Sequence, residues 1–226
     1  MIVFERPGPV NTDKVIEAAI SAAPKCDAIV VASVTGASAV KIAQKIKDKK
    51  IACVTCPQGM HWEVNKMDAG PFATIPELKA IRDTWRHEGL SRVPIDVESH
   101  NRELLGKCGV TIIKGTIPFF GPTFSMRLHL HLTTPLDIVA KTLEMISTGT
   151  LVCLECVLMA VDAGVIPEGS RVLAMAGTER GLDTAWIIRS SASANLFHHE
   201  KGARFIELLA KPGISEVPQI AVEYLR

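Results

Sequence analysis

Two hydrophobic rhythms run through this chain. In residues 27–33, Asp-Ala-Ile-Val-Val-Ala-Ser, the apolar positions are continuous and β-branched, the pattern of a strand covered on both faces, and residues 51–55 give a second such strand. Between them Thr35 and Gly36 open a stretch of helical spacing that runs to about residue 47. An earlier helix is predicted from Val15, Ala18, Ala19 and Ala22, with Asn11 or Thr12 as its cap. Strand, helix and strand at this spacing make a βαβ unit, which predicts a parallel sheet with right-handed crossovers.

The remaining pattern extends that unit. A short strand is predicted at residues 2–4, a helix at 75–88 and a core strand at 110–114, with a loop rich in Gly, Pro and His over 57–72 and a polar stretch at 90–107 that fits neither period. Residues 115–132 read as an excursion broken by Pro118, Gly121 and Pro122. The alternation Arg127-Leu-His129-Leu-His131-Leu at its end predicts a strand. Thr133-Thr134-Pro135 starts a helix, Thr148-Gly149 separates it from an apolar helix at 151–163, and strands follow at 171–176 and 184–190. A last strand at 205–210 is expected at the sheet edge, and no internal repeat is present. The expected architecture is one α/β domain with a mostly parallel sheet.

Composition narrows the partners. Hydrophobic residues make up 47% and charged residues 22% of the 226, the range of a folded globular protein. With 25 basic and 24 acidic side chains nearly cancelling, no large field of one sign would draw in nucleic acid or an anionic membrane. The longest apolar stretch, 151–161, is interrupted by Glu155 and is too short to cross a bilayer, and the first residues meet Glu5, Arg6 and Pro7 without a signal peptide's apolar run. These features lead us to expect a cytoplasmic protein whose partner is a small molecule, with homo-oligomerisation left open.

The strongest local signal for chemistry is the turn from residue 33 to residue 39. A buried strand ends there in small hydroxylated residues and a glycine just where a helix starts. Free N–H groups at the positive end of the helix dipole, with the hydroxyls of Ser33, Thr35 and Ser38 and the backbone of Gly36 and Ala37, make an anion site at the carboxyl end of a strand. The alternative is a helix cap with a tight packing contact. A second loop, 176–184, holds Gly177, Thr178, Gly181 and Asp183 between two apolar strands and is too elaborate for a minimal hairpin. Arg180 could meet a phosphate and Asp183 could accept hydrogen bonds from a ligand, or the loop is a surface turn with solvated charges.

Cys53 and Cys56, and Cys153 and Cys156, form two CxxC pairs, but the first ends a strand and the second lies within a helix, so buried thiols are expected rather than a zinc site or a redox pair. His129 with His131, and His198-His199-Glu200, lack a third ligand at a recognisable spacing. Glu155 and Asp162, seven apart on one helix face, mark a stripe that is exposed or faces a cavity.

The motifs Pro7-Gly8-x-x-Asn11-Thr12, Val31-Ala-Ser-Val-Thr-Gly36, Val152-Cys-x-Glu155, Met159-Ala-x-Asp-Ala-Gly-x-Ile-Pro167 and Gly177-Thr-x-x-Gly-x-Asp-Thr-Ala185 together resemble the stand-alone pyruvate kinase C-terminal domain-like family. The resemblance implies a three-layer α/β/α sandwich without the kinase's catalytic barrel, and bound FMN. It implies the phosphate on Ser33, Thr35, Gly36, Ala37 and Ser38, and the ring system near Thr55, Gly59 and residues 115–121. Gly177, Thr178, Gly181 and Asp183 would close over the ligand, with Asn11, Thr12 and Glu155 facing the same crevice. The role would be a flavin-dependent oxidoreductase or, alternatively, a non-catalytic sensor of a sugar phosphate or nucleotide. This chain departs from the family pattern at residues 56–60, at 191–195 and over the longer segment 61–121, within a divergent region at about 57–132.

Overall fold

The two apolar runs on either side of Thr35-Gly36 pair in parallel, Ile29 opposite Ile51 and Val31 opposite Cys53. The computed structural model describes residues 1–213. In chain order its elements are β1 (Ile2–Phe4), α1 (Thr12–Ala22), β2 (Ala28–Ala32), α2 (Ala37–Lys45), β3 (Lys50–Thr55), β4 (His61–Glu63), α3 (Pro71–Thr74), α4 (Pro76–His87), β5 (Arg92–Pro94), α5 (Ser99–Lys107), β6 (Thr111–Lys114), α6 (Gly121–Leu130), α7 (Pro135–Glu144), α8 (Thr148–Asp162), β7 (Arg171–Ala176), β8 (Thr184–Arg189) and β9 (Arg204–Pro212). Seven strands form one sheet in the order β1-β9-β8-β7-β2-β3-β6, and only β8 runs against the rest. The loop from β7 to β8 is too short for a crossover, so β8 has to return antiparallel.

Strand alternation divides the core between two faces. Ile29, Val31, Leu173 and Met175 point to one face, where Val15, Ile16 and Ala19 of α1, Ile42 of α2 and Leu105 of α5 cover them. Ala28, Val30, Val172 and Ala174 point to the other, against Cys153, Cys156, Val157 and Ala160 of α8. Burial on both faces accounts for the unbroken apolar runs in the sequence. α8 carries the chain back from the edge strand β6 to β7, and α7 packs on its outer side around Leu151, Leu154 and Leu158.

Several expectations need correction. Residues 127–132 lie in and just after α6 and do not form a strand. A six-residue alternation is too short to outweigh Pro122 at the start of a helix and the Phe120–Phe124 pair one turn apart, and His131 ends the helix in the left-handed region (φ 55°) rather than sharing a strand face with His129. The stretches over 57–72 and 90–107 contain β4 and β5, which pair antiparallel, and α5. With α3 and α4 these small strands enclose a separate cluster of Trp62, Phe72, Ile75, Leu78 and Ile95, so this part of the chain builds its own satellite core. β9 is interior, bonded to β8 on one side and β1 on the other, because the N-terminal strand takes the edge. Thr148 and Gly149 belong to the first turn of α8, which Ser147 caps by accepting from Thr150 N–H at 3.0 Å.

Gly149 is a packing requirement, since a Cβ there would stand 2.3 Å from Thr184 Oγ1 and 2.5 Å from Thr184 Cβ. Gly149→Ala is therefore expected to push α8 off β8 and to lower stability by about 1–3 kcal/mol, read as a reduced urea midpoint with an unchanged far-ultraviolet spectrum.

Candidate functional site

The carboxyl ends of β2, β3 and β7 open into a cleft of about 1120 Å³. It lies where the chain leaves β2 for α2 on one face of the sheet while α8 covers the other, the position at which open parallel sheets hold ligands. The cleft straddles the sheet edge. One end is formed by the starts of α1 and α2 with the β7–β8 loop, the middle by the strand ends at Ala32, Val54 and Thr55, and the other end by the β6–α6 connection, α6, α7 and the cleft face of α8.

At the first end the turn after β2 takes the geometry the sequence suggests. Gly36 precedes α2 with φ +86°, a conformation that suits glycine, and Val40 N–H starts the helical ladder by bonding to Gly36 O at 2.9 Å. Ser33 Oγ accepts from Ala39 N–H at 3.4 Å, and Asn101 Nδ2 of α5 donates to Thr35 O at 2.9 Å. Within the described residues no hydrogen bond uses the N–H of Ala37 or Ser38. Ser33, Thr35, Ala37 and Ser38 line the cleft, with Lys41 one turn further along α2 in an ion pair with Asp13. Gly36 does not face it. A side chain there would run into Val97 Cγ1 at 2.8 Å and Asn101 Cβ at 3.0 Å, so glycine serves the docking of α5.

The β7–β8 loop divides its residues between cleft and interior. Gly177, Glu179, Arg180 and Gly181 line the cleft. Asp183, expected to touch a ligand, is instead fully buried and occupied internally: Oδ2 accepts from Gly8 N–H at 3.0 Å, Thr178 N–H at 3.0 Å and Thr178 Oγ1 at 2.8 Å, and Oδ1 accepts from Thr184 Oγ1 at 2.8 Å. Thr178 is thereby turned inward as well. Gly181 lets the loop lie against the N-terminal segment, where a Cβ would meet Pro9 Cα at 2.7 Å, and Thr12 Oγ1 accepts from Leu182 N–H at 3.0 Å. Thr12 reaches the cleft. Asn11 does not, because its Nδ2 donates to the carbonyls of Arg6 and Gly8. Thr55 lines the cleft and donates to Val34 O at 3.1 Å, whereas Gly59 sits in the turn before β4, off the lining.

Glu179 escaped the sequence pattern, and the surroundings of Arg180 and Cys56 were not legible in it, because their neighbours are distant in the chain. Glu179 adopts a left-handed backbone (φ 61°) and accepts from Trp62 Nε1 at 3.2 Å across 117 residues, and its crowded surroundings push its carboxyl up. Arg180 holds its guanidinium 5.7 Å from the Trp62 ring centre and 5.9 Å from that of Trp85, with Glu98 at 4.0 Å as an ion partner. Cys56 is half-buried on the lining, and burial together with the nearby Glu179 and Glu155 carboxylates lifts its thiol to about 11, so it is no nucleophile at neutral pH. Cys53 and Cys153 are fully enclosed and Cys156 is buried. Among the described residues no group of three or more His, Cys, Asp or Glu side chains could hold a metal ion.

Glu155 is the cavity-facing member of the α8 stripe, while Asp162 accepts from Ser193 N–H at 2.9 Å. Glu155 is 6% exposed, its Oε1 accepts from Phe119 N–H at 3.2 Å, and among the described residues no cation pairs with it. Burial lifts its carboxyl to about 8, the Phe119 bond opposes this, and the neighbouring Glu144 adds to it. No family model matches the chain, and no helix among the described residues is long and apolar enough to cross a membrane.

A carboxyl whose folded pKa is raised stabilises the fold fully below its unfolded value near 4.5, and that stability is lost as pH rises through about 8. Glu179 and Asp183 shift in the same direction, so the contribution of Glu155 is isolated by difference. Unfolding free energy should fall more steeply with pH in the wild type than in Glu155→Gln, by up to about 1.4 kcal/mol per pH unit within that window. Parallel curves from urea melts across the window would disprove the assignment.

Proposed function

We propose that the chain binds a phosphate-bearing small molecule in the cleft, and that FMN is the ligand. The observation that carries this reading is the continuity of the cleft. The two N–H groups without a hydrogen bond among the described residues and the hydroxyls at the start of α2 open directly onto strand ends and a compartment lined mainly by apolar side chains. Arg180 stands near the same turn, its partner Glu98 bonding through N–H to Thr35 O at 3.1 Å, and a phosphate could compete with Glu98 for it. The motif resemblance to the pyruvate kinase C-terminal domain-like family supports the same assignment.

In this reading Ala37 and Ser38 hold the phosphate through backbone N–H groups, aided by the Ser33, Thr35 and Ser38 hydroxyls, and Thr12 and Gly181 close that end. Thr55, Cys56 and the β6–α6 connection flank the ring in a largely apolar slot from which water is displaced. Gly59, Asn11, Thr178 and Asp183 act behind the lining as supports. A flavin held there supplies hydride and electron transfer, and the chain's own share is orientation and a proton held on Glu155.

The visible spectrum of the protein, as isolated and after FMN is added and the mixture desalted, tests the reading. Saturable quenching of FMN fluorescence is expected. Ser38→Asp places a carboxylate in the first turn of α2, where the helix dipole tolerates it. It should weaken FMN binding by about tenfold or more through charge repulsion while the melting temperature holds. Failure to quench FMN, combined with saturable binding of sugar phosphates, would replace the flavin reading with that of a sugar-phosphate sensor.

A further inference from the structure

The cleft is larger than one ligand requires. Pockets that hold a single drug-sized molecule enclose roughly 300–1,000 Å³, and this one reaches about 1120 Å³. Its far lobe, beneath α6 and α7, differs chemically from the phosphate end. Phe120 and Phe124 stack with ring centres 4.5 Å apart and planes inclined by 19°, and Ile138, Leu151 and Val152 complete an apolar wall. Arg127 is paired with Asp137 and Lys141 with Glu144, and His131 also lines the lobe, so among the described residues its lysine and arginine charges are already matched. Glu155 stands at the inner end with Oε1 engaged by Phe119 N–H, and among the described residues Oε2 makes no hydrogen bond.

We propose that this lobe binds a neutral, flat carbonyl compound, its oxygen accepting a hydrogen bond from the Glu155 carboxyl and its body lying against Phe120 and Phe124. The geometry selects the class. Oε1 already accepts a bond, so in the protonated acid Oε2 carries the hydrogen and calls for an acceptor. An anion would face Glu155 and Glu144 in a compartment of low polarity, at a large desolvation cost. Glu144 from α7, Cys56 beyond β3 and Cys156 on α8 itself interact with Glu155, while Arg127 of α6, His131 just after it, and Asp137 and Lys141 of α7 line the same lobe. Arg127 is bound to Asp137 and Lys141 to Glu144, and among the described residues no cation pairs with Glu155. Stacked aromatic side chains favour a planar guest. The proposal requires nothing at the phosphate end but shares Glu155 and the β6–α6 connection with the FMN reading, so the probe is titrated into FMN-free protein, where failure of one reading leaves the other testable.

Prodan, a neutral naphthyl ketone whose emission moves to the blue in apolar surroundings and to the red when its carbonyl is hydrogen-bonded, is a suitable probe for titrating the full chain. Saturable binding is expected in the wild type. Glu155→Gln keeps a donor and should bind within about threefold, whereas Glu155→Leu should bind about threefold to tenfold more weakly. The bound emission of Glu155→Leu should also lie further to the blue, a shift that a purely structural role for Glu155 would not produce. Wild-type affinity should fall as pH rises past about 8, while Glu155→Gln stays level. That pair of pH profiles decides the matter even if Glu155→Leu does not fold. Absence of saturable binding, or affinity and emission indifferent to pH and to the leucine substitution, would overturn the proposal. Affinity that rises above about pH 8 would overturn it as well.

Discussion

The Asp183 carboxylate is the contact on which the cleft depends. It is completely enclosed, and its oxygens gather donors from the N-terminal segment at Gly8, from Thr178 in the β7–β8 loop and from Thr184 at the start of β8. Desolvation pushes its pKa up while these bonds oppose the shift, the balance struck by a buried acid among converging donors. The network continues from Thr184 to Ser147, from Ser147 to Thr150 and from Trp186 to Thr150, so β8 is bonded to the first turn of α8. Removing the carboxylate would strand several buried donors at once, a larger loss than any single surface contact could cause.

From that anchor the site acquires two ends of different character. The loop held by Asp183 presents Glu179 and Arg180 to the cleft, and the satellite core fixes both, Trp62 donating to Glu179 and the paired indoles of Trp62 and Trp85 flanking Arg180. Stacking against aromatic faces restricts a long cationic side chain that would otherwise lose conformational entropy on binding. On the opposite side of the sheet α8 contributes an almost wholly apolar surface with one carboxyl in it. The same sheet edge thus carries an ion-paired arginine between aromatic rings at one end and a buried carboxyl in an apolar wall at the other.

The satellite core makes residues 61–95 largely self-supporting. Its residues bury one another around Leu78 and Phe72 and meet the main sheet mostly through the turn after β2 and the β7–β8 loop. The bidentate pair between Arg6 and Glu77 adds a further tie to the N-terminal segment.

The sequence by itself determined the α/β class, the central strands and the helices around them, because continuous β-branched runs and 3.6-residue periods survive burial in any tertiary context. It also marked the turn at Ser33, Thr35 and Ser38, where local chemistry and strand-to-helix geometry coincide. Only the tertiary structure decided the rest. The alternation at 127–132 became a helix, the strand expected at the edge moved inside once β1 paired with β9, and Asp183 turned from the ligand side to the interior because Gly8 arrives from 175 residues away. Glu155 acquires its raised pKa through the same kind of long-range enclosure, by Phe119 and the cleft walls. Which neighbours surround a polar side chain is set by contacts between distant segments, and a local pattern carries no record of them.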